Sequence, residues 1–224
     1  MNIIKHLVFV VIITLFSVIV ATAQNSDKKR FAVKVNNGYS ITNATDKVLV
    51  VGGGYDMGNS PTTSLSLAWY ATSNWSLELS VSTGKYDMSM TGGNYNEMDM
   101  YRNSMDIGSV WMSPLGLSVA YHFKQLSQTI IPYLSVGGNY MLFLNSDPGW
   151  GADAVTYQNR PAFNIAFGTD INLSSCWFVN IHVQKFFTDK SMVNVDFSKS
   201  IGWKLESQLS PNPLNLTAGL GYRF

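Results

Sequence analysis

Six ionisable side chains, Lys34, Glu78, His122, Asp170, His182 and Arg223, sit at positions where they could share a confined space. Two carboxylates face two permanent bases, and the two imidazoles could move a proton near neutral pH. A His–Asp pair would also need a nucleophile or a metal. The sequence contains neither a G-x-S-x-G elbow nor an H-E-x-x-H pair. No catalytic residue is therefore assigned, and the chain is read as a non-enzyme. Unpaired charge is expensive in a confined interior, so pairing is expected. The plain reading is a polar network that stiffens the fold; the functional one is a polar constriction that selects what passes.

A second group carries sulfur. Met88, Met90, Met98, Met100 and Met105 crowd into "YDMSMTGGNYNEMDMYRNSM". Thioethers are flexible and polarizable, which suits a mouth that captures varied apolar molecules. They also suit Cu(I), but simple loop packing is the default, and no metal or cofactor is expected. Met141 and Phe143 mark a possible apolar path. The single Cys176 excludes an internal disulfide and a cysteine metal cluster. "GGG" at 52–54 is not followed by G-K-[ST], so it reads as a flexible loop rather than a phosphate cradle.

What could position these groups is a set of strands. Beyond residue 23 the recurring signal is period-two alternation. Leu65, Leu67 and Trp69 alternate with Ser64, Ser66 and Ala68, and Trp75, Leu77, Leu79 and Val81 with Ser76, Glu78, Ser80 and Ser82. The pattern returns at 116–123, 132–144, 162–173, 177–184 and in "LTAGLGYRF", where Leu216, Ala218, Leu220, Tyr222 and Phe224 share one face. With 31–39 this makes eight strands. Short connections fall near 73–75, 124–129 and 173–176; long ones fall near 43–60, 87–107, 146–159 and 190–208. The expected fold is all-β: an eight-stranded antiparallel up-and-down transmembrane β-barrel with short periplasmic turns and long extracellular loops.

The two faces decide between water and lipid. The polar face is mostly Ser, Gly, Ala, Asn and Thr, residues small enough for a narrow interior. Charged residues make up only 13% of the chain, about half the usual share of a soluble domain. Aromatics stand where strands end, at Trp69, Trp75, Tyr121, Phe123, Tyr133, Trp177, Tyr222 and Phe224, as in an interfacial girdle. The alternative is a soluble lipocalin-like barrel with the faces exchanged. Lys185 and Asn37 are misfits, since alternation turns both toward lipid; a bulge or a displaced boundary would explain them.

Residues 1–23 read as a cleaved signal peptide, with Lys5, the apolar run 7–20 and Ala21-Thr22-Ala23 as cleavage site. Residues 24–224 then form a single barrel domain. It loses only Lys5 from the 15 basic and 14 acidic residues, so no electrostatic footprint for nucleic acid exists.

The stretches "IGSVWMSPLGLSVAYHF" (107–123), "IPYLSVGGNYMLFLN" (131–145), "GTDINLSSCWFVNIHV" (168–183) and "LSPNPLNLTAGLGYRF" (209–224) resemble the OmpW outer-membrane proteins in order and spacing. "SLSLAWYATSNWSLELSVSTG" (64–84) follows the second hairpin less tightly. The resemblance implies a narrow, partly hydrophobic lumen that binds or passively moves small hydrophobic molecules across the outer membrane. Expected partners are outer-membrane lipids and lipopolysaccharide, the barrel-assembly machinery through the C-terminal strand, and small hydrophobic solutes. Two other functions stay open: a structural or surface-receptor barrel with no permeation, and a lipid-modifying barrel enzyme using His122 and His182.

Overall fold

A computed structural model describes residues 30–42, 45–47, 54–91, 105–124, 126–149, 152–199 and 203–224. The proposed signal peptide lies outside the described residues. Eight strands form the wall: β1 (Phe31–Ile41), β4 (Ser60–Tyr70), β5 (Trp75–Thr91), β6 (Met105–His122), β7 (Ile130–Pro148), β9 (Arg160–Asn172), β10 (Trp177–Thr188) and β13 (Leu214–Arg223). Each pairs antiparallel with the next. The ring closes where β13 meets β1, from Ala32 opposite Arg223 to Ile41 opposite Leu214. Phe31 and Phe224 exchange backbone hydrogen bonds of 3.1 and 2.9 Å at the seam. Closure is what lipid demands, because an unpaired edge has no water to satisfy it.

The alternation resolves as expected for a membrane wall. Leu65, Leu79, Ile165 and Leu220 are 40, 42, 41 and 53% exposed on the outside, whereas Asn164, Asn180 and Asp170 are fully buried within. Such a continuous apolar exterior would not stay monomeric in water. At the periplasmic end Trp75 and Tyr121 stack edge-on at 4.9 Å, as do Trp177 and Tyr222. Tyr133 does not join this girdle. It is 2% exposed and points into the lumen, because it alternates with the outward Leu134. A second exposed aromatic set, Tyr39, Trp111, Tyr140, Phe163 and Phe187, stands toward the outer end of the wall.

The long connections carry strands of their own. β2 (Thr45–Lys47) and β3 (Gly54–Met57) extend the sheet beside β5. β8 (Ala154–Tyr157), β11 (Ser191–Phe197) and β12 (Trp203–Leu209) form a separate three-stranded sheet. β5, β6 and β7 run for 17, 18 and 19 residues, well beyond the ~9–11 that cross a bilayer. The expected loop 87–107 is therefore strand at both ends. A register shift beside Val110 leaves Asn145 at φ 45° as the extra residue in β7, a left-handed position that asparagine tolerates.

Neither misfit needs a bulge. Asn37 faces outward on a regular β1 and accepts a 2.8 Å hydrogen bond from Thr63 Oγ1. Lys185 donates from Nζ to the carbonyl of Asn212 at 2.6 Å, reaching the backbone at the outer rim.

Candidate functional site

The lumen is layered. Lowest is a cavity of about 640 Å³ opening at the short-turn end, lined by Arg30, Tyr70, Thr72, Lys124, Gln128 and Arg223 among others.

Above it lies an ion-paired layer. Lys34 on β1 donates to Glu78 on β5 at 2.5 Å. Arg223 on β13 donates from Nη2 to Asp170 Oδ2 at 2.9 Å and from Nη1 to Asn172 Oδ1 at 2.5 Å. The other Asp170 oxygen accepts from Asn180 Nδ2 at 2.8 Å, and that amide also donates to the Tyr133 hydroxyl at 2.9 Å. Two acids thus meet two bases. Both Asp170 oxygens are engaged by β13 and β10, not by an imidazole, so the chain assembles no His–Asp dyad there. His122 Nε2 lies 2.9 Å from Ser76 Oγ, and its ring sits 5.2 Å from both Tyr70 and Tyr133. His182 is half-buried one layer higher, its ring 6.1 Å from Tyr133.

Aromatic side chains fill the remaining cross-section. Tyr133 packs over Gly168 and Phe178 over Gly221, each pair opposite in register. A Cβ on Gly168 would fall 2.4 Å from the Tyr133 ring, and one on Gly221 2.1 Å from Phe178. These glycines are the space in which the rings lie. Arg223 stands 4.1 Å from the Phe178 centroid and Lys34 5.2 Å from that of Tyr133.

Next comes a small polar chamber of about 30 Å³ whose lining includes Asn36, Ser66, Ser80, Ser118, Asn139 and His182. That is room enough for a water molecule.

The outermost layer is apolar. Met57, Tyr86, Met88, Ile107, Val110, Met112, Met141, Phe186, Val155, Val193, Val195 and Leu209 form one buried cluster, with Phe143 and Tyr157 packed against it. Met141 and Phe143 thus face inward, as the alternation of β7 requires. Met88 belongs to the cluster and not to an exposed mouth. Met90 and Met105 are register partners across β5 and β6, and Met98 and Met100 lie outside the described residues. Leu209, Val155, Val193 and Val195 come from the extracellular sheet, which therefore caps this layer. Side chains fasten the cap: Ser146 donates to the Val155 carbonyl, Ser191 to the Gln158 carbonyl, and Asn159 accepts from Phe143 N at 2.8 Å. Thr188 donates to the Pro211 carbonyl at 2.6 Å.

Sequence reasoning missed Tyr70, Tyr133, Phe178 and Asn180 as partners of the charges. Their signal was parity: each falls on the inward face once the register of its strand is known.

A closed ring of eight antiparallel strands, apolar toward lipid and polar toward its axis, defines an outer-membrane β-barrel. The sequence model of the OmpW family matches residues 28–224. The chain belongs to the OmpW family. It is 26% identical over 160 residues to the uncharacterized outer-membrane protein y4mB of Sinorhizobium fredii, a match spanning 71% of this chain and 64% of that protein, a little under two thirds of its length. The crystal structure of OprG from Pseudomonas aeruginosa superposes with a TM-score of 0.71 at 16% identity, over 88% of this chain and 97% of that one. The solid-state NMR structure of AlkL in lipid bilayers gives 0.57 at 20% identity, over 89% and 92%. These structural likenesses establish a shared fold. The protein is an outer-membrane barrel, and its wall sits in outer-membrane lipid.

Proposed function

We propose that the barrel binds small hydrophobic molecules in its outer apolar layer and moves them passively into the bilayer. The observation that carries this is the layering itself. An apolar solute finds a packed apolar section under the cap and an ion-paired, aromatic closure beneath it. Continuing along the axis would strip it of apolar contacts and displace Lys34–Glu78 and Arg223–Asp170. The wall offers a cheaper exit. The β5–β6 ladder is interrupted between the Val81–Leu115 and Gly84–Met112 pairs, where Pro114 has no N–H to donate.

The apolar layer under the cap is sulfur-rich, and methionine reshapes at little cost. Met57, Met88, Met112 and Met141 all belong to the buried outer cluster. In this reading the network of Lys34, Glu78, His122, Asp170, His182 and Arg223 is a structural closure, and the chain performs no catalysis. Residues 1–23 act as a removable export signal ahead of one barrel domain. The C-terminal strand presents the assembly machinery with its signal, and lipopolysaccharide contacts the outer rim.

Vesicles carrying the purified protein test the reading. They should take up an apolar fluorophore several-fold faster than empty vesicles while retaining glucose. Equal fluorophore uptake in both overturns it. Ser113 Oγ donates to Thr83 Oγ1 at 2.9 Å across the interruption. The paired substitution T83C/S113C, oxidised, should lock this gap and slow uptake, and dithiothreitol should restore it. A receptor barrel without permeation would be indifferent to that lock.

A further inference from the structure

The cavity at the periplasmic mouth is not used by the transport reading. Its lining brings together Arg30, Lys124 and Arg223, three cations on one recess. Of these, Arg223 is answered by Asp170. Arg30 and Lys124 form no ion pair with a carboxylate among the described residues. The C-terminal residue lies nearby but belongs to the wall: Phe224 O accepts from Phe31 N at 3.1 Å, and Phe224 is not among the lining residues.

Like charges converge at a cost. Lys124 is half-buried, and its ammonium lies 5.2 Å from the Tyr70 centroid. Its pKa falls below the ordinary lysine value, first through burial and then through the Arg223 charge, with Asp170 opposing. The recess also presents hydroxyls and amides around the cations, from Thr72, Ser73, Ser127, Gln128 and Asn172. Part of this polar set is occupied. Thr72 Oγ1 and Ser127 Oγ accept backbone N–H groups of their own turns, and Asn172 donates to the Gln128 carbonyl. Those bonds hold the two turns in place, so the cations are presented on ordered loops. Two cations lacking a carboxylate partner, ringed by neutral polar groups in a recess of several hundred cubic ångströms, match an oxyanion carrying two negative charges.

We propose that the periplasmic mouth is a binding site for a phosphate-type dianion, held by Arg30 and Lys124 with Arg223 as the fixed third charge. The same chemistry could come from free phosphate or from the headgroup of an inner-leaflet lipid. The inward placement of Arg223 and Tyr70 favours the free anion, which can enter a recess that an acyl-anchored group cannot.

The test is titration of inorganic phosphate into the barrel in zwitterionic micelles at constant ionic strength. Binding is read from the 15N signal of the Lys124 ammonium and from calorimetry. Phosphate should raise the Lys124 pKa by about one unit relative to chloride, since a nearby opposite charge favours the charged form. Lys124→Met and Arg30→Gln should each weaken phosphate binding roughly tenfold, the loss of one charge-assisted contact. Arg30→Lys, which keeps the charge but loses the fork, should weaken it less. A parallel arm adds phosphatidic acid to the micelles; if only the lipid shifts Lys124, the occupant is a headgroup, and the free-anion form of the proposal falls. Unchanged binding in Lys124→Met and Arg30→Gln, or equal effects of phosphate and chloride, overturns the site. Both substituted positions lie outside the transmembrane strands, and the gel mobility of the folded barrel checks that each variant is assembled.

Discussion

The lower and upper sections of this lumen are built from the same strands and closed in opposite ways. On β5 the inward face carries Glu78 low in the barrel and Tyr86 and Met88 high in it. Below, closure depends on a few directional bonds between buried charges. Above, it depends on shape, supplied by methionine, valine and aromatic side chains that touch many neighbours. A directional closure fails when one partner is removed, since the other is left charged and buried. A shape closure yields gradually, because neighbouring side chains relax into the space. The lower section therefore suits a fixed floor and the upper one an adaptable packed layer.

The sharpest break of this contrast is Glu78→Leu. It leaves Lys34, 3% exposed, without its carboxylate, and should cost about 3–5 kcal/mol. The urea midpoint of the folded gel band in micelles reads it. Adding Lys34→Met should recover most of that loss; no recovery would mean that the pair is not the source. In the upper section Met141→Ala should cost about 2 kcal/mol or somewhat more, and Met141→Leu under about 1.5 kcal/mol. The Ala variant should also take up the apolar fluorophore faster than the parent, whereas Glu78→Leu with Lys34→Met should not. If both changes alter uptake equally, the two sections are not functionally distinct.

A control outside the lumen comes from the lipid face. Asn37 lies about 15 Å above the periplasmic rim at the usual rise and tilt, where Thr63 satisfies its oxygen. Replacing both, as N37L/T63V, should change stability by no more than about 1 kcal/mol, with uptake unaltered. A larger loss would assign the pair a role in the wall that the lumen contrast leaves out.

The smallest effect is expected in the cap. The Asp196 carboxyl is lowered to about 2, first by the Ser198 hydroxyl, then by the Ser198 N–H and Lys204. Its folded value lies below the unfolded one near ~3.9. The turn is therefore supported fully above that pH and loses support as pH falls through about 2. The Ser198 amide shift should titrate near that value. An inflection near 4 would show a turn that does not hold the carboxylate.

Much of the wall was legible in residue order. Period two survives in "WSLELSVS" because lipid and lumen impose opposite demands on adjacent residues, and Leu79 and Glu78 obey them. The long connections were harder. Period two persists in β11, where Val193 and Val195 are buried and Met192 and Asn194 exposed, but Asp196, Lys204 and Glu206 give β11 and β12 no face that lipid would accept, so these strands read as connections. Tyr133 misled for a different reason. An aromatic near a strand end reads as girdle, although alternation with the outward Leu134 turns it inward, where Gly168 leaves room for its ring. The six charged positions were visible as inward residues, but their partners were not. Lys34 and Glu78 are 44 residues apart and belong to strands separated by β4.

Residue order by itself determined that eight alternating strands would face hydrocarbon on one side and a narrow polar axis on the other, because that pattern is written locally, one residue at a time. It also determined that Leu216, Leu220 and Tyr222 of the last strand would face lipid. Only the closed tertiary structure decided which carboxylate meets which base, that aromatic rings fill the space left by glycines, and that Met57, Met88, Met112 and Met141 pack into a capped apolar layer. Those outcomes depend on the circumferential register of distant strands, and that register is set by closing the ring.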